Sequence, residues 1–205
     1  MTQVRCLDIS RFSSDDYAAL YAEASEVRKR RADRYLRQED RVRCVAAEAL
    51  LRLVPGYRQE ALACTPAGKL YFKAGGMHFN LSHSGRWVVI AWGTDPVGID
   101  VEQLQMDKGK LKLARRYFCQ DEQDYLFAAP VQEQAERFYR IWTGKESYLK
   151  YLGTGIDRPL QSFSILKELP ETRLHTHVLK EAYMTVCSKE NIHCCEVTLQ
   201  QLLAK

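Results

Sequence analysis

The sequence predicts an α+β protein of two similar halves, each a helix packed on a small antiparallel sheet. A helical apolar pattern precedes a series of short strand-like segments in the first half of the chain. The same order returns in the second half. Turn residues separate the segments in both.

In the first series, Val42, Val45, Ala46, Ala49, Leu50 and Leu53 recur at helical spacing, and Pro55-Gly56 ends the helix. Lys69–Phe72, His78–Leu81, Trp87–Trp92 and Val97–Glu102 then read as strands. Gly75-Gly76, Ser84-Gly85 and Asp95-Pro96 supply the turns. In the second series a long helical pattern from Gln132 to Leu152 stops at Gly153 and Gly155. Strand candidates follow at Gln161–Leu166, Arg173–Val178, Ala182–Cys187 and Cys194–Leu199. The repeat is one of order, without residue-by-residue identity. Its seam falls near Asp100–Leu104, which gives halves 1–102 and 103–205.

Composition narrows the function classes. Lys and Arg number 30 against 26 Asp and Glu, a net charge of +4. That argues against a dedicated nucleic-acid binder. The charge is uneven: residues 28–43 hold eight Arg or Lys against three acids. The run reads either as a solvated helix face or as a docking site for a polyanion. The seven cysteines follow no C-x-x-C pattern and are expected as reduced thiols of a cytoplasmic protein. The opening MTQVRCLDIS lacks the apolar core of a signal peptide, and no apolar run reaches the ~20 residues of a membrane span. A soluble protein with no membrane partner is expected.

Three constellations can do chemistry. In Val97-Gly98-Ile99-Asp100-Val101-Glu102, strand alternation points the three β-branched residues to a core. Gly98, Asp100 and Glu102 share the other face, with Gly98 leaving room for a ligand. Two adjacent carboxylates repel unless a cation sits between them, and magnesium takes such hard oxygens. A pair of solvated acids is the alternative. In the helix, Glu146 falls on the apolar row between Trp142 and Leu149, where an ionised carboxylate needs a partner. That partner is either an internal arginine or a metal shared with Asp100 and Glu102. Lys145 and Lys150 flank the row, as solvated margins or as cations for a diphosphate. In Phe79-Asn80-Leu81-Ser82-His83-Ser84-Gly85, a polar strand face runs into a turn where His83 reads as a phosphate donor, a base, or a buried histidine with a backbone partner. His175-x-His177 has no further ligand at zinc-site spacing, and Gln120–Asp124 reads as a solvated turn or helix edge. Neither G-x-x-x-x-G-K-[ST] nor G-x-S-x-G occurs.

Phe79–Ser84, Gly98–Glu102 and Trp142–Lys150, in this order and separation, resemble the three motifs of 4′-phosphopantetheinyl transferases of the Sfp type, whose single chain carries two pseudo-symmetric halves. The resemblance extends to Gly153-x-Gly155, Pro159-Leu160-x-Ser162-Phe163 and Arg37-Gln38-Glu39-Asp40. It implies the phosphopantetheinyl transferase fold, with the active site in the cleft between the halves. It also implies magnesium-dependent transfer of phosphopantetheine from coenzyme A to a serine of an acyl or peptidyl carrier protein. Asp100, Glu102 and Glu146 match the family's magnesium ligands, with manganese an alternative ion. Glu146 and Lys150 match its catalytic base and diphosphate lysine. Lys69, Ser82, His83, Arg28, Arg31 and Arg43 match coenzyme contacts, alongside Lys145 and Lys150. Arg115, Arg116, Tyr117 and Phe118 resemble the stretch that meets the carrier, with the two aromatics divided between surface and core. Leu70 stands where the family often has proline, and Cys44 where it often has a hydroxyl residue. A monomer follows from two halves in one chain. A non-catalytic coenzyme A or carrier-binding module, and a metal-dependent phosphodiesterase, are the other classes these residues admit.

Overall fold

The computed structural model describes residues 1–105, 108–155 and 158–204. The chain forms β1 (Thr2–Asp8), α1 (Ser14–Glu23), α2 (Glu26–Ala32), α3 (Gln38–Leu51), β2 (Leu62–Cys64), β3 (Leu70–Phe72), β4 (His78–Ser84), β5 (Trp87–Gly93) and β6 (Val97–Gln103). There follow α4 (Lys108–Tyr117), α5 (Gln120–Phe127), α6 (Val131–Leu152), β7 (Arg173–Leu179), β8 (Ala182–Ser188), β9 (Ile192–Glu196) and α7 (Leu199–Leu203). The expected α+β class is the one observed.

The strands lie in two sheets, ordered β4-β5-β1-β9 and β6-β8-β7, plus the β2–β3 hairpin. Strand alternation makes each sheet two-faced. Leu7, Val88, Ile90 and Trp92 face α3 and pack with Val45, Ala46, Ala49 and Leu50. Val4, Cys6, Trp87, Val89 and Ala91 face the other way and meet Val97, Ile99, Val101, Met184 and Val186 of the second sheet. The far side of that sheet carries α6, where Thr143 and Thr185 share a buried hydrogen bond of 2.7 Å. The result is four layers: helix, sheet, sheet, helix.

Four expectations about elements are corrected. Gln161–Leu166 is no strand: a 3-10 turn at Leu160–Ser162 leads into irregular chain. Its Leu160 and Phe163 carbonyls accept from Lys145 Nζ at 2.7 and 2.5 Å, and the Ile165 N–H donates to Glu122 at 2.9 Å. Those backbone groups therefore serve side chains and not a ladder. The last strand ends at Glu196, and Thr198 caps α7 by accepting from the Gln201 N–H. Gln120–Asp124 is not wholly solvated, because Glu122 is fully buried. Finally, β1 lies in a stretch for which no strand was expected.

The sheets do not part at residue 102. β6 pairs antiparallel with β8, aligning Asp100 with Thr185 and Glu102 with Tyr183. β9 returns to run parallel to β1, aligning Val4 with Cys194.

Candidate active site

The site starts from β6, whose alternation is as the sequence implies. Val97, Ile99 and Val101 are buried between the sheets, and Gly98, Asp100 and Glu102 face α6. The role expected of Gly98 changes, however. A Cβ there would overlap the Ser147 carbonyl and the Tyr151 N–H of α6. The missing side chain makes room for the helix backbone, not for a ligand. This close approach brings Glu146 and Lys150 to the two strand carboxylates.

One cavity of about 620 Å³ is lined by Arg28, Arg31, Lys69, Ser82, His83, Asp100, Glu102, Glu146 and Lys150, among others. Residues more than a hundred positions apart thus share one wall. Lys150 Nζ lies 2.6 Å from Asp100 Oδ1 and donates to Ser82 Oγ at 3.1 Å. Burial and the neighbouring Asp100 charge push the Glu146 carboxyl above the usual range, against the pull of Lys150. Glu102 is raised by the same two causes, moderated by a hydrogen bond from Ser84 and by Lys110 and Lys150. His83 is lowered by burial and by the charges of Arg43, Lys150 and Arg31.

Arg28 and the N-terminal cap of α2 are held by a residue that the sequence reading missed. Glu48 of α3 is buried and accepts from the Ser25 N–H at 3.2 Å, Ser25 Oγ at 3.1 Å and Tyr57 Oη at 2.9 Å. It also pairs with Arg28 Nε at 3.5 Å. The signal was a glutamate inside the apolar run Ala46-Ala47-Glu48-Ala49-Leu50, since a buried carboxylate needs partners.

Three expected coenzyme contacts are placed differently. Lys145 has no exposed side-chain surface and pairs with the equally buried Glu122 at 2.8 Å. Consecutive helix residues diverge by about 100°, so Lys145 points into the C-terminal core while Glu146 faces the cleft. Arg43 donates to the Gly85 carbonyl at 2.6 Å and pairs with Asp40 at 2.7 Å, outside the cleft lining. Lys69 does line the cleft, yet its Nζ donates to the Lys150 carbonyl at 2.5 Å and the Val97 carbonyl at 3.2 Å. It thereby caps the C-terminus of α6, where a cation suits the helix dipole. Burial pushes its amine down to about 8. In the stretch expected to meet a carrier, Phe118 is core. Tyr117 is half-buried edge-on to Trp142, and Arg115 and Arg116 are exposed.

Among the described residues, no three acidic, histidine or cysteine side chains converge tightly enough to enclose an ion as they stand. The ammonium of Lys150 holds Asp100 instead. The donor set nonetheless fits a hard divalent cation. Asp100 Oδ2 is buried without a hydrogen-bond partner, and three mutually repelling carboxylates border one cavity.

The family model described as the 4′-phosphopantetheinyl transferase superfamily matches residues 96–197, from the start of β6 to just past β9. A 4′-phosphopantetheinyl transferase of Bacillus subtilis is 34% identical over 163 residues, covering 75% of this chain and 70% of that protein. The 4′-phosphopantetheinyl transferase Sfp of Bacillus subtilis (strain 168) is 44% identical over 88 residues, 43% of this chain and 38% of Sfp. The 4′-phosphopantetheinyl transferase HetI of Nostoc sp. is 35% identical over 137 residues, 62% of this chain and 58% of HetI. The chain therefore spans less than two thirds of the last two. The matched span holds Asp100, Glu102, Glu146 and Lys150, and the first relative is matched over more than two thirds of its length: this chain belongs to the 4′-phosphopantetheinyl transferase superfamily.

Proposed function

We propose that the protein transfers the 4′-phosphopantetheine arm of coenzyme A to a serine hydroxyl of an apo acyl or peptidyl carrier protein, leaving adenosine 3′,5′-bisphosphate. The observation that carries this reading is the convergence of Asp100, Glu102 and Glu146 with Arg28, Arg31 and Lys150 around one cavity. Such a site suits a diphosphate, whose charge needs both carboxylate-held metal and fixed cations.

Asp100, Glu102 and Glu146 would hold magnesium, or manganese, which when bound neutralises the diphosphate oxygens. The Glu146 carboxylate takes the serine proton as the serine oxygen bonds to the β-phosphorus. The bond from that phosphorus to the bridging oxygen breaks, and the electron pair leaves with the bisphosphate. Lys150, one helical turn from Glu146, keeps its bonds to Asp100 Oδ1 and Ser82 Oγ and directs its third N–H toward that departing oxygen. Arg28 and Arg31 clamp the nucleotide phosphates. His83, whose pKa is lowered by burial and by the neighbouring cations, offers a ring N–H to a phosphate. Arg115 and Arg116 steer an acidic carrier toward the cleft mouth. We place the protein in the cytoplasm, acting as a monomer, since one chain carries the whole cleft.

The test is a panel of apo carrier proteins incubated with coenzyme A and magnesium and read by intact mass. One added phosphopantetheine per carrier, lost when the acceptor serine becomes alanine, is the expected result. Binding of coenzyme A with no adduct on any carrier would overturn it. Hydrolysis of coenzyme A without an acceptor would point to a phosphodiesterase instead.

A further inference from the structure

β4 pairs with β5 and β6 pairs with β8, so no backbone ladder joins β4 to β6. Side chains do so instead. Asn80 Oδ1 accepts from the Ile99 N–H at 2.9 Å, Ser82 Oγ from the Val101 N–H at 3.3 Å, and Ser84 Oγ from the Gln103 N–H at 3.1 Å. Alternate residues of one strand meet alternate residues of the other, as the two-residue strand period allows. The edge of the second sheet is satisfied without extending the first.

The two hydroxyls also act on the carboxylates. Ser82 Oγ donates to Asp100 Oδ1 at 2.9 Å, and Ser84 Oγ donates to Glu102 Oε2 at 2.8 Å. A serine hydroxyl has one proton, and here each proton is committed to an acid. Each serine therefore reads the backbone position of one β6 residue and fixes the carboxylate of the residue before it. The turn after Ser84 supports this register. Gly85 has φ +52°, and the Gln103 side chain fills the space a Cβ there would need.

Resting on the transferase reading above, we propose that Ser84 is a positioning residue for Glu102 as Ser82 is for Asp100. The pair determines which oxygen each acid presents to a divalent cation. With Oδ1 held by Ser82 and Lys150, Asp100 presents Oδ2, the atom with no hydrogen-bond partner. With Oε2 held by Ser84, Glu102 presents Oε1.

Ser84→Thr and Ser84→Val have nearly the same shape and differ by the hydroxyl. Manganese binding to each purified variant, followed by the electron paramagnetic resonance signal of free Mn²⁺ without coenzyme A, reads the effect directly. The threonine variant is expected to bind within about twofold of wild type, and the valine variant about tenfold more weakly. In transfer assays the valine variant should need correspondingly more metal for half-maximal rate. If valine prevents folding, Ser84→Ala carries the same comparison. Equal manganese affinity in folded Thr and Val (or Ala) variants, with wild type active in transfer, overturns the positioning role alone. A wild-type protein that neither binds manganese nor modifies any carrier overturns the transferase reading beneath it.

Discussion

Gly98 of β6 lies against the Ser147 carbonyl of α6 so closely that no side chain fits between strand and helix. This close approach sets how near Glu146 and Lys150 of α6 come to the β6 carboxylates. Gly98→Ala should therefore push the helix away or be strained in place. We expect a loss of about 1–3 kcal/mol in stability from overpacking, with transfer falling further than stability. Thermal melts and initial rates on the same preparation measure both.

Asp100→Ala and Glu146→Gln should leave folded proteins whose transfer rate is lower by about a hundredfold or more, the scale of losing a transition-state charge partner. Added magnesium should raise the wild-type melting temperature and leave that of Asp100→Ala unchanged, because a ligand stabilises only the state that binds it. A normal turnover in either variant under metal-controlled conditions would remove the cation site.

Lys145→Met should act on stability and not on coenzyme A. It strands Glu122 with its oxygens still facing the Cys119 and Ile165 N–H groups but without a countercharge. Breaking one side of a buried pair costs about 3–5 kcal/mol. Urea denaturation should show that loss. KM for coenzyme A in the surviving folded fraction should stay at the wild-type value, and a selective rise in KM would return Lys145 to the substrate site.

Lys69 gives a pH dependence with a defined sign. Its amine is lowered from 10.5 to about 8 by burial. Between those values the unfolded chain holds more proton at this position than the folded one, so this residue's contribution to stability rises with pH. It is fully present above 10.5 and lost as pH falls through 8. Denaturation midpoints of wild type and Lys69→Met across that window should converge toward alkaline pH if Met leaves the packing intact. Parallel curves would mean that the amine is not buried.

The place of the cleft acids was more legible in the sequence than the supports that aim them. Asp100 and Glu102 follow from a strand period of two, and Glu146 from its place on an apolar helical row. Lys145 was read as flanking the same row alongside Lys150, yet it points into the core against Glu122, because adjacent helix positions diverge by about 100°. Gly98 was read as an opening because sequence spacing cannot say which body approaches a bare backbone. Lys145 is tied to Glu122 and to the Leu160 and Phe163 carbonyls, and Glu122 to the Ile165 N–H, across distant stretches of chain, and no local pattern announces such ties. The pairing of β9 with β1 was equally invisible, since parallel register depends on what lies between.

The parallel placement of β9 beside β1 governs the order in which the molecule can be assembled. A ribosome that has released only the first hundred residues leaves β1 with an open edge, and β6 has no β8 to bind. The second sheet is complete once β7 and β8 have emerged, but the first gains its edge strand only with Ile192–Glu196. Fragments cut at the midpoint should thus be adhesive on their own and regain order only when mixed.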